Sequence, residues 1–262
     1  MKNNCLAAIA ATALSLGAGT ASALDIVFDY SLDTTGFFTV DKRLTLDQVA
    51  SIFENNVTNS LAPLIGVDIA NPLMDGYAGT ALPTTKLNIA ADTLLIYVGA
   101  VDLRDSAIGL AWVGTARPDR TTAMSGFGFA SGWGGQMLFD TTTSGGARNW
   151  YVDSDIRSAE SVPGSLDFAT TVMHEMGHVF GLLHDDTLPG DTMYPTTDGT
   201  RNLFNANDWL DMRANGWAVT SLNPDLYDVV DVATPVPEPA TYGLMLAGLV
   251  AVGGAARRRQ RG

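Results

Sequence analysis

His174-Glu175-Met176-Gly177-His178-Val179-Phe180-Gly181-Leu182-Leu183-His184 contains all three histidines of a 262-residue chain. On a helix, residues four apart stand one above the other, so His174 and His178 aim two imidazoles at one point. Glu175 lies about 100° further round the helix, beside that point rather than on it. His184, six residues beyond His178, is out of reach of the same face unless the helix stops. Gly181 supplies the stop, because a left-handed residue at a helix C-terminus costs glycine least, and the chain then folds back. Three neutral imidazoles with a fourth position left open are the donor set of a catalytic zinc rather than of a closed structural one. Zinc in such a site lowers the pKa of its water from about 15.7 to near 7. Glu175 is placed to take the proton as that water attacks a carbonyl the metal also polarises. The spacing therefore predicts amide hydrolysis, with one catalytic zinc on His174, His178 and His184 and Glu175 as general base.

A bare His-Glu-x-x-His can arise by chance among surface or core histidines, but Gly181 and His184 at their fixed places make chance the weaker reading. The run resembles the signature of the metzincin zinc peptidases, H-E-x-x-H-x-x-G-x-x-H, at every fixed position. Nine residues after His184, Thr192-Met193-Tyr194-Pro195 is similar to the Met-Tyr-Pro turn of the matrixin branch. The resemblance implies the same ligands and base, with Met193 as the apolar floor of the site. Tyr194 follows the methionine directly, whereas the tyrosine that approaches zinc in astacin-like relatives stands two places after it, so Tyr194 is not counted as a ligand.

The resemblance also implies the architecture: an α+β catalytic domain with a twisted, mostly parallel sheet, an antiparallel edge strand, a zinc-binding helix, a methionine turn and a C-terminal helix. Residues 126–130 would form the cleft-side edge strand that pairs with an extended substrate. Residues 196–204 would wall the pocket for the side chain after the cut. Matrixin-like domains often bind calcium as well, and Asp140, Asp153 and Asp155 lie in a Gly- and Ser-rich stretch, although no run matches a defined calcium loop. Departures from matrixins are the lack of histidines for a second zinc, the lack of a thiol-bearing propeptide, and Asp185 where serine is usual.

The two ends read as addresses. Residues 1–23 have the form of a secretory signal, with Lys2, an apolar stretch over 6–16 and Ala21-Ser22-Ala23 before the cut, which would remove Cys5, the one cysteine. At the other end, Pro237-Glu238-Pro239 precedes an uncharged, mostly apolar run over 240–256 and then Arg257, Arg258, Arg259 and Arg261. As a helix that run rises about 25 Å, the lower limit for a membrane span, with the arginines on the cytoplasmic side. The order resembles the PEP-CTERM sorting tail of Gram-negative bacteria, which implies an exosortase-type partner and transient residence in the inner membrane. A permanent tail anchor is the alternative. The expected organisation is a signal over 1–23, a catalytic domain over 24–220, a linker over 221–236 and a sorting tail over 237–262.

Between the ends, residues 24–236 hold 10 Lys and Arg against 27 Asp and Glu, a net charge near −17. Such a surface repels nucleic acid and anionic membranes. Hydrophobic patterning predicts strands at 25–30, 86–90, 94–101 and 137–139, a helix over about 46–64, and a turn at 132–135. Ser165 or Asp167 should cap the helix that carries His174, whose buried side would be Phe168, Val172, Met176 and Val179. A last helix should start at Asn205 or Asn207 and end at Gly216. The function expected is that of a monomeric, exported zinc endopeptidase acting on a protein or peptide substrate, at the cell surface or in the surrounding matrix. A surface or matrix protein that kept the fold for binding alone is the competing class, and Glu175 weighs against it.

Overall fold

The computed structural model describes residues 24–67, 86–104, 107–115, 132–153, 155–158, 161–197 and 199–225. The expected signal, the 126–130 strand and the 240–256 helix lie outside them. In chain order come β1 (Asp25–Leu32), α1 (Val40–Asn56), β2 (Leu64–Val67), β3 (Leu87–Ile89), β4 (Thr93–Val101), β5 (Gly109–Thr115) and β6 (Gly132–Asp140). After short pairings between 142 and 167, α2 (Phe168–Val179) and α3 (Ala206–Ala214) complete the chain.

The main sheet has the order β1-β4-β6-β5, with β1, β4 and β6 mutually parallel and β5 antiparallel at one edge. β4 is covered on both faces, which is why it reads as an almost unbroken apolar run. Leu94, Ile96, Val98 and Ala100 join the core beneath the helices, while Tyr97 joins a smaller cluster with Leu32, Leu64, Ile89 and Leu138 on the opposite face. The mixed architecture, mostly parallel with an antiparallel edge, is the one the resemblance implies.

α2 meets its expectation closely. Phe168, Val172, Met176 and Val179 are buried, and the helix packs on β5, β6 and α1. Asp167 is its N-cap, accepting the Thr170 N–H at 2.7 Å, whereas Ser165 turns its hydroxyl to the Val162 carbonyl instead. α3 starts at Asn205 with a capping box completed by Asp208, and Gly216 follows its end with φ +89°.

Two expectations need correction. α1 begins six residues before the expected start, because Thr39 caps it, and it ends at Asn56 rather than near 64. Its end is set from far away: the Asn56 carboxamide oxygen accepts from Thr220 Oγ1 and the Ser221 N–H, and Val57 bridges Val219. The glycines at 132–135 are not a turn but the start of β6. A Cβ on Gly134 would lie 1.8 Å from the Leu95 carbonyl oxygen and one on Gly135 would lie 2.2 Å from that of Trp112. These glycines let three backbones approach, a use of glycine inside a strand that composition alone reads as a loop. Among the described residues no helix is long and apolar enough to cross a membrane.

Candidate active site

α2 brings His174 and His178 to one face, and the chain's own helix stop brings His184 to them. The Leu182 N–H reaches the Gly177 carbonyl at 2.8 Å and the Gly181 N–H that of His178 at 2.9 Å. With Gly181 at φ +89°, this is the two-bond Schellman closure that glycine favours. The three Nε2 atoms then form a triangle with every side 3.1 Å. Among the described residues these histidines are the one group of His, Cys, Asp or Glu side chains spaced to hold a metal ion.

The triangle fits a zinc. Nitrogens held about 2.0–2.1 Å from one tetrahedral zinc stand about 3.3 Å apart, close to the spacing found. The outer nitrogens settle the tautomers: His174 Nδ1 lies 2.6 Å from the Thr192 carbonyl and His178 Nδ1 lies 2.8 Å from that of Leu182. Carbonyls only accept, so each Nδ1 carries the proton and each Nε2 presents its lone pair to the centre. Burial, reinforced at His174 by His178, lowers the His174 pKa to about 3, and burial lowers that of His178 to about 4. Burial also lowers the His184 pKa, opposed by Asp186. Neutral imidazoles are the form a metal requires.

Met193 lies beneath this group. It is 3% exposed, and a Cβ on Gly177 would meet its sulfur at 2.4 Å. Gly177, between the two helical histidines, is therefore the groove in which the thioether rests. The Met193 carbonyl accepts the Asp185 N–H at 3.0 Å, and the neighbouring Thr192 carbonyl orients His174. Turn and histidines thus hold one another.

Glu175 is 2% exposed, with Oε2 lacking any hydrogen-bond partner. Burial raises its pKa to about 8. Its carboxylate lies against β5, where a Cβ on Gly109 would come within 2.4 Å of Oε1. A cleft of about 550 Å3 opens over these groups. β5 forms one wall with Ile108 to Val113; the other comprises Thr192 and the 194–197 segment, with Asn202 beyond. The expected pocket wall is thus present in part, while Phe204 turns away to contact the Gly177 groove. The cleft-side edge strand within the described residues is β5, which sequence reading passed over although Ile108-Gly-Leu-Ala-Trp-Val is a legible apolar run.

Behind the cleft, Arg201 fastens the second wall to α2. Its guanidinium donates to both Asp167 oxygens at 2.9 Å and to the Asp155 and Ser158 carbonyls at 3.1 and 3.3 Å. The Arg201 side chain is 4% exposed and that of Asp167 fully buried. The aspartates considered for calcium are engaged within the protein and do not converge on one point. Asp140 pairs with Arg148, Asp153 accepts from Ser158 Oγ and the Asp155 N–H, and Asp155 pairs with Arg157.

The family model described as metallo-peptidase family M12B, reprolysin-like, matches residues 29–185, more than half of the chain and all three histidines. The chain belongs to this metallopeptidase family. A second match, to the PEP-CTERM protein-sorting motif, covers residues 235–260 and points to export and membrane-associated sorting by an exosortase. One stretch of 61 residues is 39% identical to Metalloendoproteinase 2-MMP of Arabidopsis thaliana, covering 23% of this chain and 16% of that protein. The reprolysin-like match and the likeness to Metalloendoproteinase 2-MMP agree on a metzincin. The family model is reprolysin-like where the Met193-Tyr194-Pro195 turn points to matrixins, so the matrixin likeness rests on a short segment.

Proposed function

We propose that this reprolysin-like chain is an exported zinc endopeptidase with His174, His178 and His184 as the metal ligands and Glu175 as the general base. The observation that carries the reading is the Nε2 triangle with its outer protons held by the Thr192 and Leu182 carbonyls. Zinc bound there supplies Lewis acidity that polarises a peptide carbonyl and acidifies a water. The chain's own residues do the rest. β5 offers an extended edge to the substrate backbone, and the 192–197 wall shapes the pocket beyond the scissile bond. Oε2 of Glu175, buried and unpartnered, takes the proton of the attacking water and hands it to the leaving amine. Among metzincins, the methionine turn favours a matrixin-like cleft for this reading.

Processing completes the proposal: a signal over 1–23 is removed, residues 24–220 form the peptidase, 221–236 act as linker, and 237–262 are handled by an exosortase while 240–256 sits in the inner membrane. The test is zinc quantitation with a peptide-library digest of the mature protein, beside Glu175→Ala. We expect one zinc in both proteins, and about 10²–10⁴-fold less hydrolysis in the variant. A zinc-loaded protein that digests nothing, or a Glu175→Ala protein of undiminished rate, would instead support the binding-protein class.

A further inference from the structure

We infer that Gly109 of β5 is a positioning residue for Glu175: the bare backbone at this point is the surface against which the carboxylate is set. The inference rests on the proposed role of Glu175, but its geometry stands by itself. Glu175 Oε2 has no hydrogen-bond partner, so no donor aims that oxygen, and packing must do so. The packing partner is specific. A Cβ at Gly109 would stand 2.4 Å from Oε1, 2.9 Å from Cδ and 3.0 Å from Cγ of Glu175, so the whole end of the side chain lies on the glycine.

Gly109 takes no left-handed conformation, so its own backbone does not demand glycine. Nor can the strand retreat. Gly109 is paired opposite Phe139 in the β5–β6 ladder, and the Ile108 carbonyl accepts the Asp140 N–H at 3.0 Å. The helix on the other side is held by its buried apolar face and by the Asp167–Arg201 pair. An added methyl must therefore move the carboxylate, by about 1 Å if an ordinary carbon–oxygen contact is to be restored. A misplacement of about 1 Å in a reacting group can cost about 10²-fold in rate. The three atoms nearest to a Cβ at Gly109 all belong to Glu175, and none is a histidine ring nitrogen.

The experiment combines Gly109→Ala, Glu175→Ala and the double variant. Gly109→Ala should keep its zinc by elemental analysis and lower kcat about 10²-fold with KM little changed. It should also lower Tm, and adding Glu175→Ala to it should restore Tm, because the shorter side chain vacates the space the methyl needs. Gly109→Ala at wild-type kcat and Tm, or a Tm loss that the double variant does not relieve, would overturn the inference. The Tm coupling reads the contact even if the wild-type protein cleaves no peptide, so failure of the proposed function and failure of this inference remain separable.

Discussion

The two walls of the cleft are built on different plans. The helix-and-turn wall carries the proposed chemistry in side chains, each held by partners close at hand: His178 by the Leu182 carbonyl four residues on, His174 by the Thr192 carbonyl eighteen residues on. The strand wall, Ile108 to Val113, has no charged side chain and offers backbone, apolar surface and, at Gly109, the absence of a side chain. One wall supplies reactivity and the other supplies shape. Substitutions on the first should therefore remove function outright, and those on the second should grade it.

The largest effect should come from His178→Ala, which breaks the donor triangle. Zinc in the purified protein should fall from one per chain to none, and peptide hydrolysis with it. Elemental analysis showing a full zinc in this variant would mean that the metal sits elsewhere. Next should come Arg201→Ala, which touches neither metal nor cleft surface. It leaves the fully buried Asp167 carboxylate without its cation, a change that costs about 3–5 kcal/mol in such settings. Urea unfolding of the zinc-loaded protein measures it. A change below about 1 kcal/mol would show that the helix wall stands without its tie to the 196–202 segment. The smallest effect should be Trp112→Ala on the strand wall. Trp112 is 44% exposed at the cleft, so its loss should raise KM for long peptides several-fold and leave kcat and zinc content unchanged. A kcat fall matching that of Glu175→Ala would erase the distinction between the walls.

Much of the first wall is legible in the sequence because its geometry is local. Helical spacing places His174 and His178 together, glycine at 181 permits the left-handed stop, and the returning chain has only two intervening residues before His184. The Asp167 and Asn205 caps follow from the same short-range rules. The second wall is not legible as a wall, since β5 acquires its meaning from pairing with β6, 17 to 30 residues away. The glycines at 134 and 135 look like a turn for the same reason. Nothing within four residues of them says that two other strands will press against their backbones.

What the sequence by itself determined is the spacing that brings the three histidines together, the position of Glu175 beside them, the helix stop and the sorting tail, all of which depend on covalent spacing and local conformation. Only the tertiary structure decided where α1 ends, since Asn56 answers to Thr220 and Ser221 across more than 160 residues. It also decided that Arg201 ties the far wall to Asp167, and that Gly109 lies under Glu175. These contacts join residues 34 to 165 positions apart. Their energy comes from burial and close approach, which exist only once the sheet and helices have packed, so no reading of neighbours along the chain could supply them.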